Sequence, residues 1–69
     1  MAMNYAYNYA VIDTETGLCT GVRTMTYELD NPALIPIEVY DTEYVDKYYI
    51  NGAWYEDAAG TIPWQSSLL

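Results

Sequence analysis

The sequence predicts an all-β chain: a small antiparallel sheet of about 4–5 short strands, built from two hairpins and followed by an irregular C-terminal tail. Three observations carry that expectation. The opening stretch "NYAYNYAV", positions 4–11, alternates with period two. Asn51-Gly52 stands between two aromatic runs in "KYYINGAWYED". Pro32 and Pro36 leave room for no more than one helical turn between those two regions.

In the first stretch Tyr5, Tyr7, Tyr9 and Val11 fall on one face, and Asn4, Ala6, Asn8 and Ala10 on the other. Aromatic and β-branched residues at that spacing read as a strand. "DTETG" follows, in which Asp13 and Thr14 initiate a turn and Gly17 supplies the left-handed conformation that closes it. The returning strand is "LCTGVRTMTY". Simple alternation puts Leu18, Thr20 and Val22 on one face and Cys19, Arg23 and Met25 on the other, with Gly21 marking a bulge. This first hairpin occupies positions 4–27.

Positions 28–34 form the linker. Asn31 before Pro32 reads as a helix N-cap with proline at the first helical position, enough for one turn. A strand and the second hairpin occupy positions 35–57. Ile35, Ile37 and Val39 share a face, and Pro36 places this strand at a sheet edge. Asn51-Gly52 is a strong signal for a two-residue type I′ turn, which requires positive φ at both central residues. That turn sets Ile50 opposite Ala53, Tyr49 opposite Trp54, Tyr48 opposite Tyr55, and Lys47 opposite Glu56. Each such cross-strand pair is worth roughly 0.2–1 kcal/mol. The hairpin is then aromatic on both sides, so one side faces the core and the other needs a cover. The tail, positions 58–69, is irregular, with Trp64 folding back onto the sheet and Leu68 and Leu69 packing on a neighbour.

All of this belongs to one domain, because the chain has 69 residues. A domain of about 60 residues buries only about 60% of its unfolded surface and is marginal without a staple. Cys19 is the only cysteine and there is no histidine, so neither an internal disulfide nor a structural zinc site is expected. What remains is aromatic packing and self-association. Nine tyrosines and no phenylalanine favour half-buried faces and interfaces, since each hydroxyl seeks water or a partner.

The formal charge is −8, from ten acids against Arg23 and Lys47. Such a chain is not expected to bind nucleic acid directly or to bind an anionic membrane. Dispersed acids primarily keep a protein soluble. "MAMNYAYNYA" has neither the basic region nor the apolar run of a signal peptide, and no stretch is long enough to span a bilayer.

No catalytic site is expected. Asp13 with Glu15, Asp41 with Glu43, and Glu56 with Asp57 are carboxylate pairs that could act as acid and base or hold a hard cation, but turns attract acids for simpler reasons. Cys19 has no histidine to activate it, and its acidic surroundings raise its pKa. Ser66 and Ser67 have no base, and the glycines form no phosphate cradle. No metal and no cofactor follow from these residues. The aromatics remain: Tyr48, Tyr49, Trp54, Tyr55 and Trp64 are the candidate partner-binding residues, divided between core and interface duty. "VIDTET" and "VYDTEY" also echo each other at 11–16 and 39–44, as a duplicated β unit or, preferred for so short a match, one turn chemistry used twice.

Two stretches resemble a known group. "YAVIDTETGLCTGV" is similar to the opening hairpin of small accessory proteins encoded in tailed-bacteriophage structural gene clusters. "VYDTEYVDKYYINGAWYED" resembles the Tyr/Trp-rich hairpin of such phage proteins and of some tail-fibre ends. The resemblance implies a non-enzymatic role in the virion, made in the host bacterial cytoplasm. It implies docking on tail, neck, baseplate or capsid partners, or on copies of the chain itself in a homo-oligomer or larger assembly. It leaves positions 58–69 unexplained. An alternative comes from the charge: a small acidic phage-encoded inhibitor that binds a basic host protein as a nucleic-acid mimic. A carbohydrate-binding module on a fibre is a third reading, since aromatic platforms beside carboxylates suit sugar hydroxyls.

Overall fold

The computed structural model describes residues 7–69. The part of the first strand expected at Asn4, Tyr5 and Ala6 lies outside the described residues. Within them the chain is all-β, as the sequence predicts. The strands are β1 (Tyr7–Ile12), β2 (Cys19–Met25), β3 (Leu34–Ile37), β4 (Tyr48–Ile50) and β5 (Ala53–Tyr55). A 3-10 turn at Thr42–Tyr44 precedes β4. One antiparallel sheet has the order β2-β1-β3, and β4 pairs with β5 in a second.

The first hairpin closes through Asp13 and Gly17. The Asp13 N–H donates to Leu18 O at 2.9 Å, and the Gly17 N–H to Asp13 O at 2.7 Å. The expected bulge is present. Val11 faces Gly21 while Ile12 faces Cys19, so Thr20 is the extra residue. This overturns the simple alternation of the returning strand. A bulge shifts the side-chain parity by one. Cys19 and Val22 therefore share the face of Ala10 and Ile12 and pack in one core with them.

The linker forms a turn where a helical turn was expected. Asn31 Oδ1 accepts from the Ala33 N–H at 2.9 Å, as a cap would, and Asn31 O accepts from the Leu34 N–H at 2.9 Å. The helix stops there because Leu34 already pairs with Val11 in the sheet. β3 thus begins one residue earlier than the pattern of isoleucines indicates. Pro36 sits on an edge strand, as expected.

The second hairpin has the predicted register: Tyr48 faces Tyr55, Tyr49 faces Trp54, and Ile50 faces Ala53. Asn51 and Gly52 have φ of 50° and 85°. The ladder ends at Tyr55, and the Glu56 N–H donates to Ile62 O at 2.9 Å. The Lys47 ammonium lies over the Trp64 ring, 5.1 Å from its centre, so it is the ring and not Glu56 that Lys47 meets.

Backbone bonds join the two hairpins. The Cys19 N–H donates to Lys47 O at 2.8 Å, the Asp46 N–H to Cys19 O at 2.9 Å, and the Tyr49 N–H to Gly17 O at 2.8 Å. β4 therefore runs beside Gly17 and Leu18, and the residues just before it, Asp46 and Lys47, meet Cys19 at the start of β2. The tail closes the structure from the other end. The Trp64 N–H donates to Trp54 O at 3.0 Å, and Tyr55 bridges to Pro63.

The core is small. Ala10, Cys19 and Tyr44 are buried, and Ile12, Val22, Ile35, Ile37, Trp54 and Trp64 pack around them. Tyr9 is buried on the opposite face of the sheet. There the linker covers it, with Tyr9 Oη accepting from the Leu29 N–H at 2.8 Å.

Candidate docking surface

The aromatic side chains divide according to the strand period. Tyr49 and Trp54 share the face turned toward the 3-10 turn, their ring centres 5.1 Å apart. Tyr44 stands edge-on to Trp54 and Trp64, at 4.9 Å from each. Such pairs add about 0.5–1.5 kcal/mol each beyond the area they bury. Tyr48 and Tyr55 lie on the other face of the hairpin. The loop after β5 covers part of that face, because Gly60 lies against Ile50 and Tyr55.

All five residues singled out in the sequence are thus half-buried, and the structure divides them. Trp54 and Trp64 hold Tyr44, with Tyr49 beside Trp54. Tyr48 and Tyr55 form a separate pair on the other side. They do not converge on one patch. Among the described residues the large apolar side chains that are more than half exposed are others: Tyr27, Tyr40, Ile62, Leu68 and Leu69. Sequence reasoning found the last two as residues in need of a neighbour. Tyr40 was not singled out, because it lies beyond the end of β3 at Ile37, where strand alternation no longer sorts faces. Tyr27 and Ile62 carry no sequence signal.

Tyr40 and Leu68 flank one junction. Asp41 and Ser66 are both buried there, and Ser66 Oγ–H donates to Asp41 Oδ2. The Leu68 N–H donates to Ser66 Oγ at 3.1 Å. The Ser66 hydroxyl, then the Glu43 N–H, hold the Asp41 carboxyl below its ordinary pKa, and Lys47 adds to the effect.

The carboxylates serve turns. Asp13 Oδ1 accepts from the Glu15 N–H at 2.8 Å, and Asp41 Oδ1 from the Glu43 N–H at 2.9 Å. The echo "DTE" is the same side-chain turn built twice. Asp57 accepts from the N–H of Thr61 and of Ile62, each at 2.9 Å, and from the Thr61 hydroxyl. The Thr61 hydroxyl and the Ile62 N–H hold its pKa below the ordinary value. Among the described residues, no three acidic, cysteine or histidine side chains converge on a possible metal position.

Cys19 is fully buried, and its thiol donates to Gly21 O at 3.2 Å. Burial pushes its pKa up, so the thiolate needed for attack is disfavoured. A groove of about 180 Å³ lies on the far face of the three-stranded sheet, between Tyr9, Leu29 and Pro36. None of the five aromatic candidates lines it.

Comparison of the chain with protein-family models, with curated proteins and with solved structures found no match in any of the three.

Proposed function

We propose that this chain is a non-enzymatic docking domain, a structural or assembly component of a bacteriophage virion that binds its neighbours through apolar side chains on a β scaffold. One observation carries the docking part. Among the described residues five large apolar side chains are more than half exposed, and two of them belong to residues at the Asp41–Ser66 junction: Tyr40 precedes Asp41, and Leu68 bonds Ser66 through its N–H. Grouped exposed apolar residues mark interaction surfaces, whereas single ones need no explanation. The likeness of the two hairpins to phage accessory proteins supports the virion setting. Of the candidates chosen from sequence, Tyr48 and Tyr55 remain eligible as contacts, because they do not pack in the Tyr44 cluster. Trp54 and Trp64 act chiefly by holding that cluster in place.

The test is solution mass by size exclusion with light scattering, in low and high salt. It is run on the native chain and on a Tyr40→Ser, Leu68→Ser, Leu69→Ser variant. Copies that associate by these residues give an assembly insensitive to salt, and the variant is a monomer with unchanged thermal stability. A native monomer that binds a basic protein only at low salt overturns the reading in favour of the acidic inhibitor.

A further inference from the structure

The two outer edges of the three-stranded sheet differ. The Ile12 N–H donates to Ala33 O at 2.8 Å, so the even-numbered residues of β1 direct their backbone groups toward β3. Antiparallel alternation then sends those of Tyr7, Tyr9 and Val11 toward β2. Their partners are Met25, Arg23 and Gly21. The N–H and C=O groups of Val22 and Thr24 therefore point out of the sheet.

Further back along the same edge, Tyr49 of β4 takes up the Gly17 C=O, and Asp46 and Lys47, just before β4, take up the outward groups of Cys19. The backbone turns at Asp46, whose φ is 75°, and the 3-10 turn before it lies close to β2 without pairing as a strand. Among the described residues no strand pairs with the outer side of β2 from Val22 onward. The β3 edge is closed by contrast. Its outward positions are Leu34, whose N–H is held by Asn31 O, and Pro36, which has no N–H. Proline on an edge is a common guard against strand addition. Among the described residues the β3 edge is guarded, and the β2 edge has no paired strand from Val22 onward.

Charge selects the occupant. Arg23 is exposed between the two outward residues and is one of only two basic residues in the chain. A residue opposite it on an added strand has its Cβ about 4.5–5.5 Å away. A second copy paired symmetrically at this point sets Arg23 against Arg23, which is unfavourable, and brings together two chains of charge −8. We propose that the β2 edge from Val22 to Thr24 accepts an extended segment of a different protein, with an acidic residue opposite Arg23 and β-branched residues beside it. The proposal rests on the docking reading only in supposing that a partner exists.

The probe is the blocked peptide acetyl-Ser-Thr-Val-Thr-Glu-Thr-Val-Thr-Ser-amide, with a version carrying Lys for Glu as its control. Amide NMR of the full chain is the readout. Shifts concentrate at Val22, Arg23 and Thr24, and the Val22 and Thr24 amides exchange more slowly with solvent. The Glu peptide binds about tenfold more tightly than the Lys peptide. Thr24→Pro removes one outward donor and weakens binding about tenfold. If that variant loses its dispersed spectrum, Arg23→Glu replaces it, and the preference between the two peptides reverses. Shifts centred elsewhere, no shifts at millimolar peptide, or equal binding of both peptides overturn the proposal. So does a native dimer that Arg23→Glu or Thr24→Pro dissociates, which gives the edge to a second copy. If the Tyr40, Leu68, Leu69 variant abolishes assembly while these peptide results fail, the docking reading stands and the strand-addition site falls.

Discussion

Ser66 reaches back 25 positions to donate its hydroxyl to the Asp41 carboxylate. That carboxylate also caps the 3-10 turn through the Glu43 N–H at 2.9 Å. One side chain thus anchors the C-terminal tail and starts the turn that delivers Tyr44 to the core. Trp64, two residues before Ser66, packs on Tyr44 from the tail side. Sheet, turn and tail meet in this small region, where a short chain with no covalent staple has few other ways to fix its end.

Removing the hydroxyl loosens the tail first. Ser66→Ala leaves the buried Asp41 oxygen without its donor, which costs more than the loss of an exposed hydrogen bond. The expected result is a Tm lower by several degrees and faster proteolysis after Trp64. Asp41→Asn keeps an acceptor for Glu43 and a polar partner for Ser66, so its effect is smaller at neutral pH. A double-mutant cycle of Ser66→Ala with Asp41→Ala is strongly non-additive if the two side chains act on each other. Additive losses remove the junction from this account.

Stability falls in acid through two carboxylates. Hydrogen bonds lower the pKa of Asp41, chiefly from Ser66, and of Asp57, chiefly from Thr61. A depressed folded-state pKa means that the unfolded chain binds protons more readily. The stabilisation is therefore complete above the unfolded carboxylate pKa, about 3.9, and is lost as the pH falls through the lower folded values. The urea midpoint is accordingly insensitive to these two groups near neutrality and drops below about pH 4. Ser66→Ala removes the larger cause at Asp41, so its acid-limb slope is shallower than that of the native chain. An equal slope in both proteins contradicts this.

Three glycines separate conformational from steric demand. Gly17 has a φ of 81°, and a Cβ there would collide with Tyr49 O, the strand junction itself. Gly17→Ala is expected to cost about 3 kcal/mol or more, a large part of the about 3–10 kcal/mol available to a domain of this length. Gly52 has a φ of 85° but open space around it, so Gly52→Ala costs about 1 kcal/mol, from backbone strain alone. Gly21 has neither constraint, and Gly21→Ala is neutral or stabilising by a few tenths of a kcal/mol. Urea denaturation of the three variants tests the ranking.

Local chemistry made the two hairpins readable in advance. Gly17 and Asn51-Gly52 each answer a backbone requirement a few residues wide, and both turned up where expected. The faces of β2 were not readable by the same means, because a bulge reverses parity from Thr20 onward and its exact place depends on pairing with β1. The role of Tyr44 was hidden for a different reason. It follows a turn motif that resembles the exposed "DTE" at 13–15, and only contacts with Trp54 and Trp64, 10 and 20 positions away, make it core. The candidate anchors suffered from the same limit. Composition showed that the rings were too many for a small core, but which rings lie inside depends on how the tail returns.

That division can be tested directly at the tryptophans. Trp54 and Trp64 each meet Tyr44 edge-on at 4.9 Å, and Lys47 lies over Trp64. Truncating a half-buried tryptophan removes these pairs and opens a cavity beside Tyr44, so Trp54→Ala and Trp64→Ala each cost about 2–4 kcal/mol. The near-ultraviolet circular dichroism of the remaining rings collapses toward that of an unfolded chain in the more destabilised variant. Tyr48→Ala and Tyr55→Ala leave the Tyr44 cluster intact and preserve that signal. A Trp64→Ala protein with native stability and an unchanged aromatic spectrum would place Trp64 at an interface and take it out of the core.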